Sequence, residues 1–167
     1  MGFQRQIPGG PFVNETATAQ RQIPGGPFIN ETVVYQYARP TSDIASNGWL
    51  PSTGSDLFAM VDEVARNDAD YIYSPPDPAT QAFEMKFGTP AGTLGTTDNH
   101  WDYALKAVNQ NTTFDLKLVQ GTTVLDSWSD TVTANTTAEF THTFTAGVMA
   151  TITDKTDVRV RGVARAP

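Results

Sequence analysis

Two histidines, His100 and His142, are the side chains here best suited to metal or proton chemistry, and they are too far apart to form a recognisable ligand pair. His142 sits in "AEFTHTFT" (138–145), where alternation places it on one face with Phe140 and Phe144. It therefore reads as a sheet or interface residue. His100, in "TTDNHWD", reads as a polar residue at a strand start. The carboxylates Asp62, Glu63, Asp68 and Asp70 crowd "DEVARNDAD" (62–70), and several oxygens could hold a hard cation such as calcium. The stretch lacks the turn glycine and terminal glutamate of an EF-hand loop, so a solvated loop edge is the preferred reading. A glycosidase needs two carboxylates across a cleft, which spacing along a chain does not establish. With no cysteine there is no disulfide, no thiolate nucleophile and no cysteine-held zinc. No zincin, nucleophile-elbow, P-loop or dinucleotide motif occurs. The expectation is a protein that is not an enzyme, with no catalytic residue, cofactor or metal site.

Charge and hydropathy narrow the partners. A net charge of −7 across 167 residues opposes nucleic acid, whose phosphates require a basic face. No apolar run approaches the roughly 18–20 residues of a membrane span. The opening "MGFQRQIPGG" lacks a secretory apolar stretch, and Gln6 replaces the Ser or Thr of a myristoylation motif. Four Asn-x-Thr sequons, at Asn14, Asn30, Asn111 and Asn135, read as turn and strand-edge residues.

Which elements would position these groups follows from hydrophobic period. From residue 33 the texture is β: "VVYQYA" (33–38), "LFAMVDEV" (57–64) and "YIYS" (71–74). "AFEMKF" (82–87) sets Phe83, Met85 and Phe87 against Glu84 and Lys86. "WDYALKAV" (101–108) sets Trp101, Tyr103 and Leu105 against Asp102 and Lys106, and "TFDLKLVQ" (113–120) turns Phe114, Leu116 and Leu118 inward. "TVLDSWS" (123–129) follows a Gly121-Thr122 turn, and "DVRVRGVA" (157–164) opposes Val158, Val160 and Gly162 to Arg159 and Arg161. Only "GVMATITD" (147–154) suits a helical turn. About eight short strands at intervals of roughly ten residues predict an all-β fold over 33–167, an antiparallel, jelly-roll-like β-sandwich. Trp49, Trp101 and Trp128 are its candidate bulky core groups.

Residues 1–32 differ in kind. "QRQIPGGPFVNET" (4–16) recurs as "QRQIPGGPFINET" (20–32), changed only at Val13 against Ile29. Prolines 8, 11, 24 and 27 block helix, and the Gly-Gly pairs invite turns. One such unit cannot bury enough surface to offset its ordering entropy, and two are too few for a solenoid. The expectation is an extended N-terminal arm, mobile in isolation. Its apolar anchors, Ile7, Pro8, Phe12 and Val13 and their counterparts Ile23, Pro24, Phe28 and Ile29, are the candidate partner-binding residues. A duplication merely tolerated in an arm is the rival reading, but exposed apolar groups without a partner are a liability. Two like peptides suit two like receptacles; linking them raises avidity by about 10² to 10⁴ without a new contact. The 16-residue offset spans at most roughly 50–58 Å.

"RPTSDIASNGWLPSTGSDLFAMVDEVARNDADYIYSP" resembles the opening of a β-sandwich module of tailed-bacteriophage virion proteins, and "QGTTVLDSW…ITDKTDVRVRGVA" resembles its closing part. The likeness covers residues 39–167 and departs from the pattern at Gly162, where that module has a larger residue. The PGG-x-[FY]-[VI]-NET peptides are similar to repeats in phage proteins encoded among head and tail genes. The resemblance implies a virion structural protein, foremost a capsid decoration or cement protein on the outer surface of the head, assembled in the host cytoplasm. Its partners would be the major capsid protein or copies of itself, with a homotrimer at three-fold positions as one arrangement. A tail, fibre or neck protein is the first alternative. A carbohydrate-binding module is the second, with Trp49, Tyr71, Tyr73 and Trp128 as its only aromatic candidates.

Overall fold

The computed structural model describes residues 14–22, 28–36, 38–62, 67–75, 80–90, 93–95 and 98–165. Among them the chain is all-β and antiparallel, as its alternation predicts. The main sheet takes β3 (Pro40–Ala45), β6 (Phe83–Phe87), β11 (Val158–Arg165), β8 (Thr112–Gln120) and β9 (Thr123–Val132), in that spatial order. A second sheet pairs β7 (His100–Lys106) with β10 (Thr137–Thr143), Tyr103 opposite Phe140 and Trp101 opposite His142. Two-residue strands β4 (Leu50–Pro51) and β5 (Ile72–Tyr73) pair separately. The helical turn expected near 147 is α1 (Ala146–Thr151), opened by the Thr145 hydroxyl accepting from the Val148 amide at 3.2 Å.

Alternation decides which faces meet. Phe83, Met85, Phe114, Leu116, Val160 and Ala164 from the main sheet are buried, and Trp101, Tyr103, Leu105 and Phe140 of the second sheet pack on them half-buried. Trp49 is buried with them, and its ring meets Phe83 edge-on at 4.8 Å. It is delivered by the turn Ser46–Trp49, in which Asn47 and Gly48 both have positive φ and the Trp49 amide donates to the Ser46 carbonyl at 2.9 Å. Only residues tolerant of that conformation fit there. The Asn47 side chain and the Trp49 indole then donate to the Ala82 and Gln81 carbonyls, both at 2.6 Å, fastening the turn to the start of β6.

One expected strand is corrected. "LFAMVDEV" does not extend from Leu57 to Val61; Phe58–Met60 form a 3-10 turn, and 63–66 lie outside the described residues. The cause is Asp43 on β3, whose carboxylate accepts from the Leu57 amide at 2.6 Å and the Phe58 amide at 2.8 Å. Two adjacent donors held by one side chain curl the backbone, and Leu57 is left as an apolar plug only 1% exposed. Asp43→Ala should cost about 1–3 kcal/mol, the usual penalty for stranding part-buried donors, read as a lower urea midpoint at unchanged slope.

The N-terminal segment contributes a further antiparallel sheet, the fourth among the described residues, built from β1 (Asn14–Gln22) and β2 (Phe28–Gln36). In it the second repeat pairs with itself, Gln20–Gln22 running opposite Phe28–Asn30, while Asn14–Thr16 from the first repeat lie opposite Val34–Gln36. β2 continues past the end of the repeat to Gln36, and residue 40 opens β3.

Candidate partner-binding site

Five strands face two, so the second sheet is too narrow to cover the first. The shortfall leaves a cleft of ≈ 1360 Å³. Its floor includes Trp49, Phe83, Met85, Phe114 and Leu116 from the core; Tyr71–Pro75 flank it on one side and β7, from Trp101 to Lys106, on the other, and it runs on past β7 to Thr137, Glu139, Phe140 and Thr141 of β10. Tyr71 and Tyr73 stand at the rim, about half exposed, their rings 6.3 Å apart and tilted by 53°. Asp68, Asp70 and Asp102 give the rim an acidic character.

The β7 wall is held rigid by a polar network within aromatic packing. The Trp128 indole donates to the Tyr103 hydroxyl at 2.7 Å, and that hydroxyl donates to Asp130. Burial and the Asp130 acceptor push the Tyr103 phenol well above its ordinary range, so it stays protonated and serves as donor. Trp128 also stacks on His142, centroids 3.9 Å apart and planes within 3°, while His142 Nε2 lies 3.0 Å from Asp126. His142 is thus a packing residue between strands. His100 lies at the start of β7, half-exposed, 3.3 Å from Asp102. Among the described residues no cluster of three or more His, Asp or Glu side chains is arranged to hold a metal ion. In the 62–70 loop Asn67 donates to Asp70 at 2.6 Å and accepts from the Ala69 amide, closing a local turn; Glu63 lies outside the described residues.

Of the arm's anchors, Ile7, Pro8, Phe12, Val13, Ile23 and Pro24 lie outside the described residues. Phe28 and Ile29 open β2, opposite Gln22 and Arg21. Two of the four sequon asparagines act in paired loops: Asn111 accepts from the Ala134 amide at 2.9 Å, and Asn135, at positive φ, accepts from the Asn109 amide at 3.1 Å. Of the aromatic candidates for sugar binding, Trp49 is core and Trp128 is engaged in packing, which leaves Tyr71 and Tyr73 accessible. The cleft itself escaped sequence reasoning, because strand order is not written in hydrophobic period. No helix is long and apolar enough to cross a membrane among the described residues.

No protein-family model, curated protein or solved structure matches this chain.

Proposed function

We propose that the protein is a non-enzymatic virion structural protein, a capsid decoration or cement protein whose repeat-bearing N-terminal segment tethers its sandwich to capsid subunits or neighbouring copies. The observation that carries this reading is the retention of twelve of thirteen residues between two copies of a peptide that includes Ile and Phe, in a segment whose described strands pair with neither sandwich sheet. A segment kept so closely, outside any core the chain builds from its two facing sheets, is best accounted for by a repeated external receptacle. A shell of identical subunits offers that, and bivalent docking would resist internal genome pressure without any chemistry. The acidic body fits a surface role, keeping the particle soluble.

Full-length protein should co-sediment with purified capsids, and the paired variant Phe12→Ser/Phe28→Ser should lose binding by about 10²-fold or more, since avidity fails with both anchors. Unchanged binding by that variant would refute docking through the repeats. A sugar-binding reading keeps one specific support, the accessible Tyr71 and Tyr73, although a 53° tilt does not make a flat platform. Binding to a glycan array that disappears with Tyr71→Ala and Tyr73→Ala would favour it.

A further inference from the structure

The cleft runs along an edge of β7 that no described strand occupies. β7 pairs on one side with β10 and, among the described residues, on the other with no strand. Backbone bonds at the two ends of that pair fix which groups face outward. The Phe144 amide donates to the Asn99 carbonyl at 2.8 Å and the Ala107 amide to Thr136 at 3.1 Å. Narrow pairs recur at every second residue in an antiparallel ladder. Residues 99, 101, 103, 105 and 107 therefore bond toward β10, and the amides and carbonyls of His100, Asp102, Ala104 and Lys106 point to the open edge. That edge borders an apolar floor, where a strand would gain both ladder bonds and burial.

The chain carries a strand of the right kind elsewhere. The β1–β2 ribbon forms its own two-stranded sheet, and such a ribbon is marginal in water without further cover. β2, with the sequence FINETVVYQ, is rich in β-branched and aromatic residues. Its nine residues are enough to run the full length of the seven-residue β7. We infer that β2 of a second copy of this chain adds to the free edge of β7 and completes the narrow sheet, closing the cleft between β7 and Tyr71–Pro75. Within one chain the ribbon and the β7 sheet remain separate sheets, with only residues 37–39 between β2 and β3. Between copies no such tether restricts the approach. Donor edge and acceptor edge are different surfaces, so each copy gives one strand and receives one. Contacts of that head-to-tail type close into a ring or run on as a filament. The inference rests on the reading of the N-terminal segment as an attachment device, and adds the surface it attaches to.

The absence of cysteine makes the test direct. Full-length Ala104→Cys and full-length Thr32→Cys are mixed and treated with a short bis-maleimide. Paired strands lie about 5 Å apart, so a cross-linked heterodimer should form in minutes and should be competed away by excess unlabelled protein. Ala104→Pro removes one outward donor and leaves the β10 ladder whole, as proline at a free edge does. It should shift the sedimenting species to monomer with an unchanged circular dichroism spectrum. In the unaltered protein, amide exchange at Asp102, Ala104 and Lys106 should slow at least tenfold as concentration rises. This last measurement decides the matter even if the proline variant fails to fold. Concentration-independent exchange, or a cross-link formed only when both cysteines share one chain, overturns strand exchange. Capsid co-sedimentation is scored separately, so binding that persists in monomeric Ala104→Pro leaves the attachment role standing.

Discussion

Gly162→Val should unfold the sandwich or cost it about 3 kcal/mol, the upper range for forcing bulk into a packed interior. Gly162 sits in mid-β11 opposite Phe83 on β6 and Leu116 on β8, in the centre of the main sheet. A methyl group built on its Cα would lie 2.5 Å from Phe83 Cζ and 3.0 Å from Leu116 Cδ2. Glycine is needed here for space: the Phe83 ring fills the position a Cβ would take, and it is held on its other contact by Trp49, met edge-on at 4.8 Å. Even Gly162→Ala requires the ring to leave that seat. The two sites should therefore couple. Phe83→Leu alone loses packing, but Gly162→Ala/Phe83→Leu should be more stable than the sum of the single changes by about 1–2 kcal/mol. Urea denaturation of the four proteins measures this, and strict additivity would contradict the steric account. Glycine at position 162 is thus a packing requirement set by Phe83, which occupies the space a larger residue would need.

The second large effect is expected at Glu84, whose side chain is 8% exposed on the outer face of the main sheet. It is held by two arginines of β11: Arg159 Nη1 donates to Oε1 at 2.9 Å, and Arg161 Nε donates to Oε2 at 2.7 Å. Arg159 is fixed in turn by Asp157 at 2.8 Å, and these acceptors raise its already high pKa further. Removing the carboxylate in Glu84→Ala leaves two neighbouring guanidinium groups without their shared counter-charge. Breaking a buried ionic cluster from one side costs about 3–5 kcal/mol; the arginines are 21% and 33% exposed, so water reduces the loss here to about 2–3 kcal/mol. Replacing all three together, as in Glu84→Met/Arg159→Leu/Arg161→Met, should restore most of that stability, because the cost lies in the stranded charges. A triple variant no more stable than Glu84→Ala would show that the cluster contributes net attraction beyond mutual satisfaction.

These two sites show where sequence was informative and where it fell short. The strands β6 through β11 were legible because each has one apolar and one polar face, and period-two alternation survives any strand order. Phe83, Met85, Phe114, Leu116 and Val160 were placed inward on that ground, and they form the core. Leu57–Val61 misled because a short apolar run serves strand and plugged turn equally well; the deciding group, Asp43, lies 14 residues away. Glu84 was set with Lys86 on the face away from Phe83 and Met85, and nothing local reveals that β11 will lay two arginines across it. The cleft, the free edge of β7 and the Trp128–Tyr103–Asp130 chain all depend on which strands become neighbours. Pairing order is a long-range property, and no single stretch carries it. The repeat, by contrast, was legible at once as a unit, and its inner pairing adds that the second copy folds Gln20–Gln22 onto Phe28–Asn30.

The central claim, that this is a head-surface structural protein fastened by its repeats, is tested most directly by locating it in the intact particle. Cryo-electron microscopy of virions, with immunogold labelling against the sandwich, should show density on the outer surface of the capsid at regularly repeated positions, with arms running toward neighbouring subunits. Label confined to tails or fibres, or particles that lack the protein altogether, would contradict it.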